Sequence, residues 1–121
     1  MDFFPTLERV AGLDSKAGSD GENLLPLLRS KGKLRRKAIY FHYPNYAWHR
    51  SNRLGSAVRE GRYKLIERFD DSSVELYDLE SDLGERKNLA EKLPQKAAQL
   101  RRKLVAWRKD ARASMPARIG K

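Results

Sequence analysis

The chain has no cysteine, which excludes disulfides, thiol nucleophiles and thiolate metal ligands together. It has only two histidines, His42 and His49, so most standard catalytic sets are missing. No apolar run approaches the ~20 residues a membrane-spanning helix needs. The opening, Met1-Asp2-Phe3-Phe4-Pro5, offers neither a basic leader nor a cleavable apolar stretch. Gly-rich phosphate loops, H-E-x-x-H and calcium-loop spacing of carboxylates are absent as well. The 121 residues, 40% of them hydrophobic, suffice for one domain with a modest core and are too few for two.

Charge is what the chain does have, and it is unevenly placed. The net is +10, yet residues 1–28 carry −3, 29–68 carry +10, 69–85 carry −7 and 86–121 carry +10. Two basic blocks flank an acidic one. A nucleic-acid binder needs a continuous positive face that displaces counterions, and an acidic hairpin between the basic segments fits that poorly.

Residue spacing outlines the elements. Phe4, Leu7, Val10 and Ala11 recur at helical spacing, with Asp2 placed to cap the helix and Gly12 to end it. Residues 14–23 read as a polar loop, Leu24–Leu28 as an apolar piece too short to be an element, and 29–37 as a basic loop around Gly32. Ala38–Tyr43, Ser56–Arg59, Tyr63–Phe69 and Val74–Leu79 read as strands, the middle pair joined at Glu60-Gly61-Arg62. Turns this short force antiparallel neighbours. Leu93, Ala97, Leu100, Leu104, Trp107 and Ala111 then make a helical stripe, with Trp107 expected to matter most. Arg101, Arg102, Lys103, Arg108, Lys109 and Arg112 are expected on the solvated face. The fold class is therefore α+β: an antiparallel sheet of about four strands, a long C-terminal helix on one face, and a short N-terminal helix and loop before it.

Candidate chemistry is sparse. His42 and His49 flank Tyr43-Pro44-Asn45-Tyr46-Ala47-Trp48, with Arg50 and Arg53 nearby. Imidazole and guanidinium both donate to oxyanions, so this stretch suits an anion pocket; the competing assignment is a strand-end histidine with aromatics packed under a loop. Asp70, Asp71, Glu75, Asp78, Glu80 and Asp82 fit ordinary turn chemistry. No complete active site appears.

Several segments, in order, resemble the C-terminal part of the sulfatase family, in the arylsulfatase A-like branch of the alkaline-phosphatase-like superfamily. They are Asp2-Phe3-Phe4-Pro5-Thr6-Leu7 with Ala11-Gly12-Leu13, Asp20-Gly21-Glu22-Asn23-Leu24-Leu25-Pro26-Leu27-Leu28, and Tyr40-Phe41-His42-Tyr43-Pro44. Ser56–Ile66, Glu75-Leu76-Tyr77-Asp78-Leu79, Asp82-Leu83-Gly84-Glu85 and Asn88-Leu89-Ala90 continue the series. Arg62 and Leu83 depart from it, standing where the family usually has Asp and Pro. Both lie in turns that should lose some preorganisation.

The resemblance implies a sulfate-ester hydrolase in which a formylglycine hydrate attacks sulfur while calcium holds the sulfate. Those groups would belong to a preceding α/β domain, leaving no catalytic residue and no cofactor in this chain, with Met1 falling inside a longer protein. Residues 1–35 would be the tail end of that catalytic domain, 36–113 the C-terminal subdomain, and 114–121 a flexible basic tail. The implied partners are the N-terminal catalytic domain and a sulfated ester, a sulfated polysaccharide among them. The resemblance also implies export in full-length relatives. His42, Tyr43, Tyr46, His49 and Arg50 are the expected substrate-contacting residues. Ser114-Met115-Pro116-Ala117-Arg118 satisfies the Ser/Cys-x-Pro-x-Arg pattern of the formylglycine site. It lacks the following helix start and any nearby acidic cluster, so it is read as coincidence. The rival class is a small basic module binding nucleic acid or sulfated polysaccharide through Arg101, Arg102, Lys103, Arg108 and Lys109.

Overall fold

In the computed structural model, residues 1–13, 20–45 and 52–117 are described. The chain divides into two compact units, 1–37 and 38–121. In the second unit, β1 (Ala38–Tyr43), β2 (Gly55–Glu60), β3 (Tyr63–Arg68) and β4 (Val74–Asp78) form one sheet in sequence order. Every pairing is antiparallel, as the short turns require. The β2–β3 turn needs a positive φ at its first loop residue, which Gly61 supplies at 59° without a side-chain clash.

Register decides which residues meet. Tyr40, Val58, Leu65 and Leu76 lie opposite one another across all four strands. Side chains alternate between faces, so these four share one side of the sheet. The long helix α2 (Pro94–Asp110) lays Ala97, Leu100 and Leu104 on that row. Proline at the helix start costs no hydrogen bond there. Val58, Leu65, Leu76, Leu100 and Leu104 are each 0% exposed, and burial of such a side chain contributes about 1.5–3 kcal/mol.

The helix stripe is shorter than its sequence pattern. Leu93 and Ala111 sit at the two caps, outside the helix. Trp107 is half-buried and stacks flat on Tyr40 at 4.9 Å between ring centroids. Its indole packs against the same cluster at the Tyr40 end of the row, beside the fully buried leucines. The free edge of β4 is closed by the following loop. Leu89 N–H donates to the Leu76 carbonyl at 2.7 Å and Leu76 N–H donates to Asn88 Oδ1 at 3.0 Å.

The first unit is built differently. Helix α1 (Phe3–Val10) is followed by a single helical turn at Leu25–Leu28, where the sequence suggested no element. Asp2 does not cap α1; its carboxylate takes both prongs of Arg36 and the Glu22 N–H instead. Arg36 above all, then the Glu22 N–H, holds the Asp2 carboxyl down at about 2. Thr6 is the buried residue of α1: its Oγ1 donates to the Asp2 carbonyl at 2.7 Å and accepts from Leu24 N–H at 2.8 Å. Glu22 accepts the Arg35 and Arg36 N–H groups, fixing the basic loop. The apolar residues of α1 face solvent, with Phe3 75%, Phe4 59% and Leu7 63% exposed.

Candidate functional site

The polar chemistry of the second unit gathers at the loop end of the sheet, where β1 finishes and β2 begins. His42 and Ser56 are register partners on the helix-covered face, and Glu67 pairs with Ser56 on the next strand. His42 Nδ1 lies 2.6 Å from Ser56 Oγ and Nε2 lies 2.7 Å from the Ser114 carbonyl. A carbonyl only accepts, so Nε2 carries a proton and donates. Phe69 and Trp107 meet the imidazole edge-on, at 5.8 and 6.4 Å. Both ring nitrogens of His42 are thus engaged within the unit.

Glu67 is the centre of the second cluster. Strand alternation turns it to the side of Leu65, toward α2. Arg101 and Arg108 stand two turns apart on one helix face, and both reach its carboxylate. Arg101 Nε donates to Oε1 at 2.8 Å and Arg108 Nη2 donates to Oε2 at 2.6 Å. Lys103 reaches Glu60 at 2.5 Å. Three of the six cations expected on the solvated face therefore turn back to the sheet, because β2 and β3 present glutamates along the edges of the apolar row. That consumes much of the positive surface a nucleic-acid reading relied on. Arg102 and Lys109 remain exposed.

A cleft of about 700 Å³ opens beside this cluster, lined among others by Leu54, Phe69, Arg101, Arg108 and Pro116. A second, of about 600 Å³, runs along the end of β1 and the opposite sheet face, with Phe41, Tyr43, Arg53 and Lys64 among its lining. Tyr43 is exposed on that opposite face, whereas the His42 ring points to the helix side. The structure thus sets these adjacent residues apart. Tyr46, His49 and Arg50 lie outside the described residues, as does Arg118 of the Ser-x-Pro-x-Arg match.

The acidic hairpin holds no metal centre among the described residues: no group of three His, Asp or Glu side chains could bind an ion. Asp70 and Asp71 face Arg53, Asp78 faces Arg62, Glu75 faces Arg68 and Glu85 faces Lys64. Asp82 accepts the Arg86 and Lys87 N–H groups. Arg62, which departs from the resembled pattern, pairs with Asp78 and Glu80.

Glu67, Arg101 and Arg108 form a cluster that the sequence reading did not assemble. The available signals were the alternation Leu65–Ile66–Glu67 and the seven-residue spacing of the two arginines beside the apolar stripe.

The profile of the N-sulphoglucosamine sulphohydrolase C-terminal family matches residues 1–110. A sulfatase of Formosa agariphila is 32% identical over an alignment covering 88% of this chain and 22% of its own length. A Delta 4,5-hexuronate-2-O-sulfatase of Bacteroides thetaiotaomicron is 37% identical over 74% of this chain and 19% of its own length. A solved structure in complex with its substrate, D-glucosamine-2-N,6-O-disulfate, superposes with a TM-score of 0.78 at 29% identity, covering 98% of this chain and 25% of that one. The chain spans about a fifth of the length of the curated relatives it matches. With a four-stranded antiparallel sheet, one long covering helix and a family profile that extends over nearly its whole length, the chain belongs to the C-terminal region of the sulfatases.

Proposed function

We propose that this chain is the substrate-facing C-terminal part of a sulfatase that hydrolyses sulfate esters of sugars, and that by itself it performs no hydrolysis. The reading is carried by the family match over residues 1–110, in relatives whose remaining length is several times greater. Two of those relatives are named for, or bound to, sulfated sugars. Calcium and formylglycine would supply the sulfur chemistry from the catalytic domain. What this chain's residues do is shape and charge one wall of the site. Of the expected set His42, Tyr43, Tyr46, His49 and Arg50, only one of His42 and Tyr43 would meet a given sulfated ligand, because they face opposite sides of the sheet; His42 would do so by giving up its contact with the Ser114 carbonyl while keeping Ser56. The exposed Phe3, Phe4 and Leu7 would dock on the catalytic domain.

The test has two arms. Purified chain with calcium is offered 4-nitrophenyl sulfate and 6-sulfated glucosamine; no turnover is expected, and turnover abolished by Ser114→Ala overturns the reading. Imidazole NMR signals of His42 and His49 are then followed during titration with 6-sulfated glucosamine. Saturable shifts support the substrate-facing role, and unmoved signals remove it.

A further inference from the structure

The described part of the second unit contains one buried polar side-chain atom without a hydrogen-bond partner, Arg108 Nη1. A buried charged donor without an acceptor is unfavourable, and the chain keeps it. The neighbouring charges explain why no acceptor within the fold is at hand. Glu67 is shared between Arg101 and Arg108, so two guanidinium groups face one carboxylate. The other acid on the cleft lining, Asp70, is held by Arg53, and the other cation, Arg68, is held by Glu75. Among the side chains that line the cleft, Arg68, Arg101 and Arg108 outnumber Glu67 and Asp70 by one; in the surrounding network Arg53 is shared by Asp70 and Asp71, which evens the wider balance.

We propose that this cleft is an oxyanion subsite, with Arg108 as its inner donor and Arg101 as its outer one, taking the sulfate or carboxylate group of an acidic sugar. The ligand class rests on the sulfatase reading; the donors and the charge balance do not. A guanidinium fork matches an oxyanion through paired N–H donors. Phe69 lies under the Arg108 guanidinium at 5.3 Å, a cation–π contact. Leu54, Met115 and Pro116 give the cleft apolar walls, and a drier wall strengthens each remaining electrostatic contact. A volume of about 700 Å³ admits a sugar ring together with its charged substituent. Arg101 is the accessible donor, with 53% of its side chain exposed against 11% for Arg108. An incoming anion thus meets Arg101 first and engages Nη1 after a side-chain rotation at Arg108.

Sodium sulfate is titrated into the full chain at constant ionic strength, with chloride as the balancing salt, while Arg Nε–Hε and Trp107 indole NMR signals are followed. Saturable sulfate-specific shifts at Arg101 and Arg108 are expected. Glu67→Gln removes the competing charge and should tighten sulfate binding roughly tenfold. Arg101→Gln, at an exposed position that leaves the core intact, should weaken it roughly fivefold or more. Shifts that match those in chloride, or affinities unchanged in both variants, overturn the subsite. Parallel titrations with 6-sulfated glucosamine and with glucuronate identify the source: tighter binding of either than of inorganic sulfate assigns the group it carries. Equal binding keeps the oxyanion subsite and rejects the sugar as its ligand. The turnover assay above is untouched by any of these results, so the two readings fail separately.

Discussion

The two units of this chain are held together by opposite kinds of force. Residues 38–121 bury a row of leucines and valine between sheet and helix, with ion pairs along the rim. Among the described residues of 1–37, Thr6 is buried and no large apolar side chain is, and Asp2, Glu22 and Arg36 tie the segment together. Apolar burial is non-directional and scales with area, whereas a carboxylate network fixes geometry while adding little net stability in water. The first unit has specific shape without a core. The large apolar side chains of α1 are exposed, in contrast to the row buried between sheet and helix in the second unit.

That contrast makes its largest prediction for truncation. A 38–121 chain should melt cooperatively, whereas a 1–37 peptide should show a coil-like far-UV spectrum, since chains below about 40 residues rarely fold without staples. A cooperative melt of the peptide would erase the distinction. Next in size is a pair of leucine-scale deletions. Leu104→Ala should cost about 2–5 kcal/mol in urea denaturation, because it opens a cavity in a fully buried row. Phe4→Ala removes a larger side chain but an exposed one, and should leave the midpoint unmoved. Equal losses at the two positions would mean that α1 is covered in solution.

A smaller, local effect is expected at Thr6. Thr6→Val keeps the shape but strips the acceptor from the Leu24 N–H, a loss of about 1–3 kcal/mol confined to the first unit. Hydrogen exchange should quicken at Leu24 and stay unchanged at Leu65. Faster exchange at both would show that the units share one cooperative transition.

The second unit was the more legible of the two, for the same physical reason. Alternation and helical spacing report which residues want burial, and in residues 38–110 Val58, Leu65, Leu76, Ala97, Leu100 and Leu104 are buried together, while Phe41 and Tyr43 on the other face of β1 stay exposed. The strands fall within a residue or two of their expected ends, and Gly61 marks its turn. In residues 1–37 the periodic apolar face of α1 signalled a helix correctly, yet Phe3, Phe4, Leu7 and Val10 on it are exposed. The carboxylate network was illegible because Asp2 and Arg36 are far apart in sequence, and Asp2 has a local alternative as a helix cap. The same limit hid Glu67: an acidic residue at an inward position reads as a strand end until two arginines from another element reach it. The candidate site was only half legible, since His42 and Tyr43 are neighbours in sequence and occupy opposite faces in the fold.

The smallest effect concerns acid, and it bears on both units at once. Asp2 in the first unit, held by Arg36, and Asp78 in the second, held by Arg62, each sit at about 2. Asp71 is also lowered to about 2, chiefly by its hydrogen bonds with Ser73. A depressed carboxyl contributes stability above its unfolded value, near 3.8, and that contribution disappears as pH falls through the folded value. Both units should therefore loosen between about pH 4 and pH 2, the same window despite their different architecture. Substitution separates them. Arg36→Gln should return Asp2 toward the ordinary carboxylate range and quicken exchange at Glu22, leaving Asp78 low. Arg62→Asp, which restores the residue usual in the family at that turn, should raise Asp78 and leave Asp2 low. Because Arg62 is 45% exposed, water and salt already weaken its pair, so the neutral-pH midpoint should barely move. Carboxyl NMR titration of the two variants reads each response directly. If Asp78 stays low in Arg62→Asp, the N–H groups of its own turn, and not the arginine, set its charge.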